Sequence, residues 1–102
     1  MSLHSDMNDV PERIGDAVLI AFTHIDGRHR PTGACRHVVG GELMNPAAGL
    51  AICKYEVDPG YYLFYCDVEW NPVTDTYHGS VEAAKEQAAT EYEGVSDTWA
   101  WR

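Results

Sequence analysis

Two hydrophobic patterns divide this chain: near-continuous runs of β-branched and aromatic residues, and one stripe of small apolar residues at helical spacing. The first run, "DAVLIAFTHI" (16–25), carries apolar groups on both faces of an extended chain, as a central strand buried on two sides does. "DG" at Asp26-Gly27 then marks a turn. Residues 28–49 are poorer in periodic signal. There "CRHVV", "GG" and "ELM" predict a short hairpin, with Gly40-Gly41 supplying the positive φ values of its turn, and "NPAAG" closes the section.

The clearest pattern is "LAICKYEV" (50–57), "DPG" (58–60) and "YYLFYCDVEW" (61–70), a β-hairpin in which Pro59 presets φ and Gly60 accepts a positive φ. Pairing Val57 with Tyr62, Tyr55 with Phe64, Cys53 with Cys66 and Ala51 with Val68 keeps one face apolar. A slip of one residue would bring Asp67 and Glu69 onto it. Cys53 and Cys66 are then expected as buried cross-strand neighbours, packed as small hydrophobes. Tyr62, Phe64, Cys66, Val68 and Trp70 form the expected inner face, and Tyr61, Leu63 and Tyr65 the outer one.

"NPVTDTYHG" (71–79) connects onward, with "VTDTY" readable as a short extra strand. "SVEAAKEQAATEY" (80–92) predicts a helix. Ser80 is its N-cap, Glu82 complements the positive end of the dipole, and Gly94 is the expected left-handed stop. Val81, Ala84, Ala88 and Tyr92 make one stripe, small enough to let the helix lie close to a sheet. Glu82, Glu86 and Glu93 belong in water. Trp99 and Trp101 alternate in a tail expected as an edge strand or an arm on a neighbour. The order of elements predicts an α+β fold: an antiparallel sheet of three to five strands with one C-terminal helix across one face.

Length sets the scale. The 102 residues suit a single domain, expected over 13–102, with 1–12 a disordered N-terminal segment or a vector-derived remnant. No apolar run approaches the roughly 20 residues of a membrane helix, and the N-terminus lacks the pattern of a secretory signal. Three cysteines, an odd number without a C-x-x-C pair, point to a reducing, cytoplasmic setting. A formal net charge of −9 argues against a broad nucleic-acid surface. It favours solubility or a basic partner.

Within this acidic chain "RHRPTGACRH" (28–37) concentrates Arg28, Arg30 and Arg36 with His29, Cys35 and His37. His24, His29, Cys35 and His37 are zinc-ligand types, but their spacing matches no standard zinc pattern and the arginines repel a dication. No metal and no cofactor are expected. Arginine forks bind carboxylate or phosphate, so Arg28, Arg30, Arg36 and His37, joined by His78, form a candidate anion or ligand site. Pairing with the chain's own carboxylates competes with that reading. His78 near Asp75 has the composition of a general base, but no nucleophile or oxyanion motif accompanies it. No catalytic residue is assigned.

The elements "GYYLFYCD", "DTYH", the "EAAKEQA" helix and its "EYEG" exit resemble those of a group of small, uncharacterised bacterial proteins. The likeness covers about the second half of the chain and implies no activity. "CDVEW…DTYHGSVEAA" is more loosely similar to HicB-type antitoxins, in which a strand ending in an acidic residue leads through a capped turn into an "EEA" helix. The DNA-binding extension of that family is not evident, so none of its sites is carried over. The expected function is a non-enzymatic, cytoplasmic protein-binding domain, immunity- or antitoxin-like. Tyr61, Leu63 and Tyr65 are its expected partner surface, for another protein or a second copy of itself. The alternative is a small-ligand or anion-binding protein, or an enzyme, using the 28–37 loop with His78.

Overall fold

The computed structural model describes residues 10–32 and 46–101, and the backbone of 38–39 and 42–43. Its main sheet is antiparallel. It runs β1 (Arg13–Ile14), β2 (Ala17–His24), β6 (Gly49–Lys54), β7 (Tyr61–Cys66) and β8 (Pro72–His78), in that spatial order. β10 (Ala100–Trp101) pairs with β2 beyond β1, Ala100 opposite Phe22. Two short ribbons lie apart: β3 (Arg30–Pro31) with β9 (Tyr92–Glu93), and β4 (Val38–Val39) with β5 (Glu42–Leu43). The second is the hairpin expected there, although its Gly40-Gly41 turn lies outside the described residues. One helix, α1 (Val81–Glu91), follows β8 and packs on the sheet, so the fold is α+β with an antiparallel sheet and a single C-terminal helix.

Both faces of the sheet are largely buried along its central strands β6 and β7, which is why these carry apolar residues without strict alternation. One face packs Leu50, Ile52, Leu63 and Tyr65 against Ala84, Ala88, Tyr92 and Val95. The other gathers Leu19, Phe22, Ala51, Cys53, Phe64 and Cys66, closed by Val10, Ile14 and Trp70. Val10 is 3% exposed, and the Glu12 carbonyl accepts from Leu19 N–H at 3.0 Å. Residues 10–12 therefore belong to the fold rather than to a disordered segment; 1–9 lie outside the described residues.

The hairpin keeps its predicted faces but not its predicted register. Cys53 lies opposite Tyr62, Ala51 opposite Phe64 and Gly49 opposite Cys66. This displacement is even in residue count, so the side chains within the two strands stay on their expected sides while the cross-strand Cys53–Cys66 pair is lost. The cause is the connection, which spans 55–60 instead of a tight turn at Pro59-Gly60. Asp58 N–H closes on the Tyr55 carbonyl at 3.3 Å, and Lys54 Nζ donates to the Asp58 carbonyl at 2.6 Å. Val57 is left at the tip in water and Val68 in the turn after β7. Gly60 does not take a positive φ. It is needed for space, since a Cβ there would lie 2.3 Å from the Tyr77 hydroxyl and 2.7 Å from the His78 carbonyl oxygen.

The helix behaves as its stripe predicts. Ser80 Oγ accepts from Ala83 N–H at 3.0 Å, Ala84 and Ala88 are fully buried, and Glu82, Glu86 and Glu93 are exposed. Its end differs. Tyr92 is already extended, and Gly94, with φ 86°, opens the short 3-10 turn Val95–Asp97. The tail forms the edge strand β10. Trp99 packs on the helix-side core, and Lys85 Nζ stands 4.1 Å from the centroid of the exposed Trp101 ring.

Candidate functional site

The residues expected to form a partner surface do not. Leu63 and Tyr65 are 0% exposed beneath the helix, and Tyr61 packs on the same core. The helix covers that face because alanines at 84 and 88 allow it to approach closely. Glu91, one turn after Ala88 on the same side, accepts a hydrogen bond of 2.7 Å from the Tyr65 hydroxyl and another from the Gln87 amide. A carboxyl group in register with an apolar helix stripe was the available sign that a buried hydroxyl needed an acceptor.

The basic loop is largely occupied by the chain's own groups. The Arg28 fork binds Asp26, Nε to Oδ1 at 3.1 Å and one terminal nitrogen to Oδ2 at 3.0 Å, and Arg28 N–H adds a bond of 2.9 Å. These bonds hold the Asp26 carboxyl at about 2. His29 points inward. Its Nδ1 accepts from Asp26 N–H at 3.1 Å, which places the ring proton on Nε2, toward Thr98 Oγ1 at 2.9 Å. Thr98 Oγ1 in turn meets Thr23 Oγ1 at 2.7 Å. Arg30 is exposed on β3 opposite Glu93. Cys35, Arg36 and His37 lie outside the described residues, so the described part of the candidate loop contributes Arg28 and Arg30.

His78 ends β8 with Nε2 2.7 Å from Thr76 Oγ1. Partial burial pushes its pKa down, opposed by the Glu91 carboxylate. Asp75 is not its partner: three residues apart on a strand, the two side chains leave opposite faces. Among the described residues no hydrogen bond or ion pair joins Arg28 or Arg30 to His78. His24 is set apart from His29 as well, its ring edge-on to Trp70 at 5.3 Å.

A half-buried aromatic ladder lies on the side opposite the expected one, with Tyr77 as its exposed member. Tyr62 stacks on Phe64 at 6.1 Å and meets Tyr55 and Tyr77 edge-on at 5.3 and 5.0 Å. Tyr77 is 51% exposed. Carboxylates border this ladder: Tyr62 donates to Asp58 Oδ2 at 3.3 Å, and Asp75 and Glu56 are exposed nearby in sequence and register. Burial first, then Asp58, holds the Tyr62 phenol above its ordinary range. Gly60 supplies the space over which the Tyr77 ring lies. The ladder is built by β-alternation, since Tyr62 and Tyr77 sit directly opposite each other.

At the far end of the sheet, Asp67 accepts from Glu69 N–H, Asn71 N–H and Asn71 Nδ2 at 2.9, 2.9 and 3.2 Å. These bonds lower its pKa and hold Trp70 at φ 65°. Two hollows flank the exposed Val68. One, about 290 Å³, is lined by His24, Asp26 and Trp70; the other, about 340 Å³, by Pro46, Ala47, Cys66 and Val73. Among the described residues His24 Nε2 is buried without a hydrogen-bond partner.

Among the described residues no helix is long and apolar enough to cross a membrane. No family model matches the chain, and no curated protein or solved structure matches it either.

Proposed function

We propose that this chain is a non-catalytic protein-binding domain that covers a basic segment of a partner with the Tyr55–Tyr62–Tyr77 face. The observation that carries the reading is a tyrosine ladder, half-buried at Tyr55 and Tyr62 and exposed at Tyr77, bordered by Asp58 and Asp75 in a chain of net charge −9. Tyrosine rings offer a large contact area with little entropy to lose, and they attract guanidinium and ammonium groups over their faces. The surrounding negative field steers a cationic partner toward the face and speeds encounter. Binding here would neutralise the partner by occlusion, as an immunity protein or antitoxin does. Free, buried Cys53 and Cys66 suit a reducing compartment such as the cytoplasm.

Titration calorimetry with a soluble arginine-rich peptide tests the proposal. Tyr77→Ala should weaken binding about tenfold, since truncating an aromatic anchor commonly costs more than about 1 kcal/mol. Asp75→Asn should slow association and reduce the salt dependence. Glu82→Gln with Glu86→Gln, which removes charge from the helix surface instead, should leave affinity nearly unchanged. Equal effects from face and helix variants would reduce the interaction to net charge and overturn the reading.

A further inference from the structure

The two borders of the main sheet differ. On one side, β2 is covered by β1 and β10. On the other, β8 has β7 as its one neighbour among the described strands. A strand in that position directs every second N–H and C=O away from the sheet, a ready template for another extended chain. Natural edges are commonly blunted by proline, bulges or inward charges. Here those devices sit at the start of β8: Pro72 leads it, and the register slips between Tyr65 and Cys66, where Val73 is the extra residue. From Thr74 to His78 the pairing is regular, and its sequence "TDTYH" is rich in threonine and tyrosine, which favour strands.

The side chains on this border select the occupant. Asp75 and Tyr77 project on the tyrosine-ladder face, and both are exposed. A second copy of the chain paired antiparallel about Asp75 would set the two carboxylates opposite each other, which is unfavourable. The charge of −9 adds to that repulsion. A basic residue across from Asp75 meets a complementary charge instead. Next to the bulge, Val73 is 41% exposed beside the hollow lined by Pro46, Ala47, Cys66 and Val68, a seat for one apolar side chain. Resting on the function proposed above, we infer that the partner's basic segment joins the sheet as an added strand along β8. It sets an arginine or lysine opposite Asp75 and an apolar residue beside Val73.

The probe is a short blocked peptide of alternating arginine and threonine ending in leucine, together with two versions N-methylated at alternate residues in opposite phase. N-methylation keeps charge and side chains but removes donors from one strand edge. Fluorescence anisotropy should show the parent binding, one phase weakened about tenfold or more, and the other close to the parent. Amide exchange should slow at alternate residues of β8 in the complex. Asp75→Lys should abolish the interaction while the fold persists by circular dichroism. Identical behaviour of the two phases, in either direction, overturns strand addition. If the parent and both phases bind alike and Tyr77→Ala still weakens all three, the tyrosine face stands without it. A parent peptide that does not bind overturns both readings.

Discussion

Asp26 shows how one side chain decides the character of a loop. Its carboxylate receives the Arg28 fork and the Arg28 amide, while its own N–H fixes the His29 ring. The same few residues that read as an anion trap thus satisfy one another, the ordinary fate of arginine in a chain rich in carboxylates. A carboxyl stabilised in this way keeps its charge well into acid. Nuclear magnetic resonance titration of Asp26 should show a midpoint of about 2, returning toward the ordinary 3.8 in Arg28→Ala. With the folded pKa depressed, the stabilisation is complete above the unfolded pKa and is lost as pH falls through about 2. A midpoint unmoved by Arg28→Ala would show that the fork does not hold the carboxylate.

Among the elements, α1 depends least on its own hydrophobicity and most on its fit. Ala84 and Ala88 let the backbone approach Leu63 and Tyr65, and Ser80 satisfies the first turn. A larger residue on the stripe has nowhere to go. Ala88→Leu should destabilise the protein by about 1–3 kcal/mol through overpacking, measured by urea unfolding, whereas Ala89→Leu on the exposed side should be near neutral. Equal effects at 88 and 89 would refute a close helix–sheet contact. The stripe was legible in the sequence because helical spacing is local. The face it covers was not, since both faces of the hairpin are apolar and alternation alone cannot tell which one receives the helix. Hairpin register was legible only modulo two residues. Burial constrains which side a residue faces, but the length of the 55–60 connection decides its partner.

At the scale of the whole molecule, closing both faces of the sheet seals groups that would otherwise titrate. Cys53 and Cys66 lie in one cluster, and burial pushes each thiol up to about 12 from an ordinary 9.0. Cys66 adds to the shift at Cys53, and Asp67 to that at Cys66. Both should resist alkylation in the native protein and react on unfolding. The unfolded chain releases these protons near 9.0 while the folded one keeps them to about 12, so stability falls as pH rises through that window. Replacing both by alanine should flatten the alkaline decline in denaturant midpoint relative to wild type. An unchanged slope would mean that the thiols ionise alike in both states.

By itself the sequence determined what depends on neighbours along the chain: the long strands, the capped helix, the alanine stripe, the α+β class, and which side each residue within the paired hairpin strands takes. Only the tertiary structure decided which surface remained open. Tyr61, Leu63 and Tyr65 went under the helix, and Tyr77 came to the surface beside Asp75 with Tyr62 half-buried behind it. The physical reason is that burial of apolar area is non-directional. Local pattern marks a face as buriable, while the global path of the chain chooses what lies on it.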